Sequence, residues 1–220
     1  MNIARLNSAP EIFYSLQGEG ARVGSPAVFL RLSGCNLHCS WCDTKYSWPQ
    51  GIEVTEEELA ARIISFNSPG LVITGGEPLM QAKAIVQLLA LLPESLFVEV
   101  ETNGTIAPLP ELVQRVNQWN VSPKLAHSGN LQSAALCPAV LATFAATQRA
   151  WFKFVVTGEN DWAAIEALHL PQERIILMPC AASSEQLQAA RLAVVDLCLA
   201  HRVRFSDRLH VTLWGDKKGV

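Results

Sequence analysis

The stretch Val28-Phe29-Leu30-Arg31-Leu32-Ser33-Gly34-Cys35-Asn36-Leu37-His38-Cys39-Ser40-Trp41-Cys42 joins an apolar, β-rich run to three closely spaced cysteines. The first part reads as a strand over Ala27–Leu32, the second as a loop at its carboxyl end. Three thiolates in a C-x3-C-x2-C run can hold three irons of a [4Fe-4S] cube and leave the fourth open. An open metal position marks a reactive site rather than a structural one. A structural zinc site with His38 as fourth ligand is the competing reading, but C-x2-H-C is not a usual zinc-finger spacing. Cys137, Cys180 and Cys198 are isolated in sequence, and Cys198 reads as a core filler on an apolar helix.

Outward from this loop the chain alternates strands and helices. Thr55-Glu56-Glu57-Glu58 is a capping box that opens a helix to about Phe66. Leu71–Thr74 is an apolar strand ending in Gly75-Gly76, with a helix after Pro78 running through Met80 to Leu92. Strands are expected over Leu96–Thr102, up to Val121, and over Trp151–Val156 and Arg174–Met178. A helix is expected from about Asp161. Ser183, with Gln186 three residues on, caps a long helix to about His201, and Leu209–Trp214 reads as a last strand. Several strands are short and look apolar on both faces, as in parallel sheets covered by helices. About six β/α steps are too few for an eight-stranded barrel, so the expected fold is α/β: a partial, open β/α barrel of about six parallel strands forming one domain over residues 1–220. In such folds the chemistry collects at the carboxyl ends of the strands. The cysteine loop, Gly75-Gly76-Glu77, Glu101-Thr102-Asn103 and Ser122-Pro123-Lys124 would all lie there.

Composition narrows the function. The chain has 220 residues, 50% of them hydrophobic and 17% charged, with a net charge of -3 and a pI near 6.0. That balance favours neither a nucleic-acid backbone nor an anionic membrane as partner. Apolar runs such as Leu96–Val100 are far shorter than the roughly 20 residues that span a bilayer. Met1-Asn2-Ile3-Ala4-Arg5 lacks the layout of a signal peptide, so a cytoplasmic protein is expected, where clustered cysteines point to metal or catalysis.

Three further features suit a small polar ligand. Gly75-Gly76 lets a backbone approach a ligand closely and leaves amide and carbonyl groups free. Gln17-Gly18-Glu19-Gly20 offers amide, carboxylate and bare backbone to the edge of a flat heterocycle. Arg31, inside an apolar strand, needs either an anionic ligand or a protein carboxylate as partner.

The cysteine spacing, with Trp41 in the aromatic position, resembles the radical S-adenosylmethionine (SAM) superfamily. The fuller set of QGEG, FLRLSGCNLxCxWCDT, TGGEP, ETNGT, SPK and a terminal His210-x3-Trp214-Gly215 resembles the 7-carboxy-7-deazaguanine synthase family, from Glu11 to Gly215 and in that family's order. The resemblance implies that Cys35, Cys39 and Cys42 ligate the cluster and that its open iron takes the amino and carboxylate groups of SAM. It implies SAM contacts from Trp41, Cys42, Asp43, Gly76, Ser122, Pro123, Lys124 and Met178. It implies substrate contacts from Leu16, Gln17, Gly18, Glu19, Arg31, Thr74, Glu101 and His210, with Thr44 on a Mg2+ ion. It further implies conversion of 6-carboxy-5,6,7,8-tetrahydropterin to 7-carboxy-7-deazaguanine with loss of ammonia, in the route to queuosine. A 5′-deoxyadenosyl radical would take hydrogen from C6 of the pterin, and SAM would be regenerated. A homodimer and a flavodoxin-type reductant go with the family. A glycyl-radical activating enzyme, which acts on a protein partner, shares the cysteine spacing and is one alternative. A non-catalytic iron–sulfur or zinc protein is the other.

Overall fold

The computed structural model describes all 220 residues. Twelve strands are present: β1 Asn2–Ile3, β2 Arg5–Leu6, β3 Ala9–Pro10, β4 Ile12–Leu16, β5 Pro26–Leu32, β6 Ile52–Glu53, β7 Gly70–Gly75, β8 Phe97–Thr102, β9 Gln118–Val121, β10 Ala150–Val156, β11 Ile175–Pro179 and β12 Arg204–Phe205. Eight helices join them: α1 Glu56–Ser65, α2 Ala82–Ala90, α3 Pro110–Arg115, α4 Gln132–Ala135, α5 Pro138–Ala146, α6 Trp162–Glu166, α7 Ser184–His201 and α8 Leu209–Trp214. The sheet runs β12-β11-β10-β9-β8-β7-β5, parallel throughout. It is thus an open β/α barrel of six full parallel strands plus the two-residue β12. Antiparallel β4 and β1 both pair with β5, and β6 follows β1.

Local chemistry explains the elements. At α1 the Thr55 hydroxyl accepts from the Glu58 N–H at 3.2 Å, and the Glu58 carboxylate accepts from the Thr55 N–H at 3.2 Å, the expected capping box. Ser183 caps α7 through the Gln186 N–H at 3.3 Å. After Pro78 a 3-10 turn over Pro78–Gln81 precedes α2, with the Glu77 carboxylate accepting from the Leu79 N–H.

Two expectations are corrected. Strands β7 and β11 are apolar and buried on both faces, as expected, but β8, β9 and parts of β5 and β10 are not. The helix-facing residues of the parallel strands form one buried core: Leu30, Leu32, Ile73, Val98, Val100, Trp119, Phe152, Phe154 and Leu177, packed against residues such as Ile63 of α1, Leu88 of α2, Phe144 of α5 and Val194 of α7. The alternate positions mix polar residues (Arg31, Glu99, Glu101, Gln118, Asn120 and Lys153) with apolar ones such as Phe29, Val72, Val155 and Met178. Strand alternation sends these to the inner side of the barrel. Leu209–Trp214 is helix α8, not a strand. Its β-favouring residues yield to tertiary contacts: the Leu209 N–H donates to the Gly18 carbonyl at 2.9 Å, and Val211 packs on Ala181 and Leu187.

Candidate active site

A cavity of about 560 Å³ opens at the carboxyl ends of the parallel strands, within the size range of small-molecule sites. Cys35, Cys39 and Cys42 border it on the loop after β5. That loop is held from three sides. From β7, Gly76 packs so closely on Gly34 and Cys35 that a Cβ there would collide with them, and the Glu77 N–H donates to the Gly34 carbonyl at 2.8 Å. From β8, the Asn103 amide donates to Asn36 Oδ1 at 2.9 Å, and Asn36 donates to Thr105 Oγ1 at 2.8 Å. From β9, the Ser40 N–H donates to the Ser128 carbonyl at 2.9 Å, and the Trp41 indole N–H donates to His127 Nδ1 at 3.0 Å. Glu77, fully buried, braces β7 against β8: it accepts from Thr102 Oγ1 at 2.9 Å and from the Asn103 N–H at 2.7 Å. Burial raises its pKa, against the pull of those donors.

No group of three or more His, Cys, Asp and Glu side chains is gathered closely enough to hold a single metal ion, the cysteine loop included. His38, the zinc-site candidate, is exposed and set edge-on to Trp48, with ring centroids 5.0 Å apart. Three thiols on one loop without a fourth protein ligand fit a larger guest with a free corner. Burial pushes the Cys35 and Cys39 thiols up, so the metal must displace protons from them.

The remaining expected residues mostly converge on the same cavity. Asp43, Thr44, Gly76, Ser122, Lys124 and Met178 line it, as do Leu16, Gly18, Glu19, Thr74, Glu101 and His210. Pro123 does not: it is buried behind Ser122 and Lys124, where its ring sets the backbone. The Lys124 ammonium donates to Ser122 Oγ at 2.8 Å and lies 5.5 Å from the Trp41 ring centre; burial lowers its pKa.

Arg31 combines its two sequence readings. Its Nε donates to Glu11 at 2.9 Å, a buried ion pair that Tyr46 joins through its hydroxyl at 3.0 Å. Its terminal NH2 groups make no hydrogen bond to protein, and the residue lines the cavity, as an anion receptor must. Gln17 borders the cavity; its amide N donates to Glu99 at 2.5 Å and to Glu101 at 3.1 Å, and its amide oxygen accepts from the Glu19 N–H. With these bonds it orients two acidic residues of the inner face. At Gly18 the group that comes close is the His210 ring, which a Cβ would strike.

Sequence reasoning missed the charges around Glu19. Lys153 of β10 ion-pairs with it, Arg208 donates to it at 3.0 Å, and His210 lies 3.8 Å away. Arg208 also bonds Asp43 and the Ala181 carbonyl, tying the cysteine loop to the segment before α8. Burial alone would raise the Glu19 pKa, but Lys153 and Arg208 hold it well below the usual carboxylate range. The signal for Lys153 was its alternation within an apolar strand. Nothing in local sequence marks Arg208.

Relatives agree with this geometry. The Radical SAM superfamily model matches residues 30–124. A 7-carboxy-7-deazaguanine synthase from Pyrobaculum aerophilum is 41% identical over 217 residues, covering 95% of each chain. The chain belongs to the 7-carboxy-7-deazaguanine synthase family. A second family member, from Halobacterium salinarum, is 37% identical and covers 94% of this chain and 90% of its own. The crystal structure of QueE from Escherichia coli superposes with a TM-score of 0.67 at 29% identity, covering 91% and 92% of the two chains. As a radical SAM synthase the protein is an enzyme that uses a [4Fe-4S] cluster and SAM. No helix is long and apolar enough to cross a membrane.

Proposed function

We propose that this enzyme converts 6-carboxy-5,6,7,8-tetrahydropterin to 7-carboxy-7-deazaguanine and ammonia, in the route to queuosine and related 7-deazapurines. The observation that carries the reading is that three thiols, the free end of Arg31, Glu101 and the Glu19 cluster share one cavity. Substrate equals product plus ammonia, so no external oxidant enters the balance. Cys35, Cys39 and Cys42 would hold the cluster. The backbone of Trp41–Asp43, Gly76, Ser122, Lys124 and Met178 would hold SAM, with Pro123 shaping the turn. Bound together, these cofactors would supply radical chemistry able to take hydrogen from a C–H bond of the substrate.

The protein's part is reception and exclusion. Arg31 grips the substrate carboxylate through its unpartnered NH2 groups, and the Thr44 hydroxyl would hold a Mg2+ ion that offsets part of the same charge. Glu101, held by Gln17, accepts from the N–H edge of the heterocycle, while Leu16, Gly18 and Thr74 shape the floor. His210, its pKa lowered by burial, is neutral at pH 7 and available as donor or acceptor. Glu19 stays ionised. We further infer a cytoplasmic homodimer served by a flavodoxin-type reductant. A glycyl-radical activating role is disfavoured because the inner strand faces carry ring-sized polar recognition rather than a channel for a peptide.

The deciding experiment is an anaerobic assay of reconstituted enzyme with SAM, a chemical reductant and candidate pterins, with and without Mg2+. Formation of 7-carboxy-7-deazaguanine, enhanced by Mg2+, is expected. 5′-Deoxyadenosine formed in every mixture with no deazapurine in any would reject the substrate. Replacing any one of Cys35, Cys39 or Cys42 by Ala should abolish SAM cleavage, and full turnover by one such variant would reject the cluster ligands.

A further inference from the structure

Asn130 lies on the loop after β9, outside every motif named above. Its side chain makes three hydrogen bonds. Oδ1 accepts from the His38 N–H at 2.9 Å. Nδ2 donates to Cys39 Sγ at 3.2 Å and to Ser128 Oγ at 3.1 Å. A backbone N–H can only donate, so the side-chain oxygen must face His38, and the NH2 group must face the sulfur. The neighbouring contacts reinforce this registry. Ser40 pairs with Ser128, and Trp41 with His127, so residues 38–41 and 127–130 lie zipped together. The sulfurs of Cys35 and Cys42 have only longer contacts from within their own loop, to the Leu37 N–H at 3.5 Å and the Thr44 hydroxyl at 3.6 Å. Cys39 alone receives a donor from elsewhere in the chain, and it is the buried cysteine of the three.

We propose that Asn130 is a positioning residue that raises the reduction potential of the cluster by hydrogen-bonding the Cys39 thiolate. The proposal rests on the cluster reading above. Reduction adds negative charge that spreads onto the ligand sulfurs. A fixed N–H donor stabilises the reduced state more than the oxidised one, and second-shell donors of this kind tune such centres. The same amide ties the loop to β9, so the donor keeps its geometry when the cluster changes charge.

The test is an EPR-monitored redox titration of reconstituted wild type, Asn130→Asp and Asn130→Ala, without SAM or substrate and with iron content measured alongside. Asn130→Asp preserves the shape and the acceptor for His38 but removes the donor. Both variants should load iron as wild type does. At a fixed potential each should show about a tenfold smaller ratio of reduced to oxidised cluster, ~59 mV for a one-electron couple. Full loading with an unchanged midpoint would overturn the role of Asn130. Wild type labelled with 15N at the asparagine side-chain amide supplies a measurement that does not depend on variant folding. Pulsed EPR of the reduced cluster should show a weak nitrogen coupling, and its absence would also overturn the proposal. Failure of wild type itself to form a cluster would reject the cluster reading instead.

Discussion

At the scale of single residues, the site depends on charges that are buried yet answered. Arg31 and Glu11 form such a pair, and Glu11 is nearly inaccessible to solvent. Removing Arg31 leaves that carboxylate with Tyr46 alone, whose phenol is pushed up to about 12, mainly by burial, and so stays a donor. Arg31→Ala should therefore destabilise the apoprotein by about 3 kcal/mol in urea titration. The double variant Arg31→Ala/Glu11→Ala should recover most of that loss while the Michaelis constant for the pterin stays raised. Recovery of both would remove Arg31 from substrate recognition. Glu99 is a second case. Burial, with Glu101 beside it, pushes its pKa up to about 7. A carboxyl whose folded pKa is raised favours folding below its unfolded value and loses that advantage as pH climbs through the folded one. Glu99→Gln, which mimics the protonated form, should match wild type near pH 4.5. It should become progressively more stable than wild type up to pH 7, by about 3 kcal/mol, and hold that gain above. A gap that does not vary with pH would refute the assignment. The cysteine triplet, Arg31 and Gly76 were legible in the sequence because each breaks a local rule: clustered thiols, a charge in an apolar strand, paired glycines. Arg208 and Asn130 broke none, since an arginine or asparagine in a loop is ordinary until folding shows its partners.

At the scale of elements, the helix starts were readable because caps are local. Thr55→Ala removes one half of the α1 capping box and should cost about 1 kcal/mol without altering iron loading or turnover, as thermal denaturation and the anaerobic assay would show. A fall in turnover at full stability would mean that α1 reaches the site by some route beyond its packing on the sheet. Strand positions were legible for the same reason, from short apolar runs between turn residues. The inner faces of β8 and β9 were misread. Phe97-Val98-Glu99-Val100-Glu101-Thr102 alternates plainly, and Gln118-Trp119-Asn120-Val121 does so too, but a covered parallel sheet suggests apolar residues on both sides. This sheet covers one side with helices and leaves the other to ligands. The six residues of α8 show the opposite failure. Their composition favours a strand, and only contacts with Gly18 and α7 make them a helix.

At the scale of the whole molecule, the main apolar core and the chemistry occupy opposite faces of one sheet. Phe152 and Lys153 are neighbours in β10, the first wholly buried in the helix-covered core and the second ion-paired with Glu19 above the inner face. Phe152→Ala should cost about 3–5 kcal/mol in denaturant, and at temperatures where it remains folded it should load iron normally. Defective loading by a folded variant would show that the two faces are coupled. Segments far apart in sequence meet beside the cavity: Gly20 donates to the Ser206 hydroxyl at 2.8 Å, 186 positions away, and Gly18 underlies His210. A nascent chain emerging from the ribosome therefore owns its cysteines long before it owns a pocket. Glu19 meets Arg208 and His210 only after the segment that carries them has been made, and the polar wall of the pocket cannot close before then.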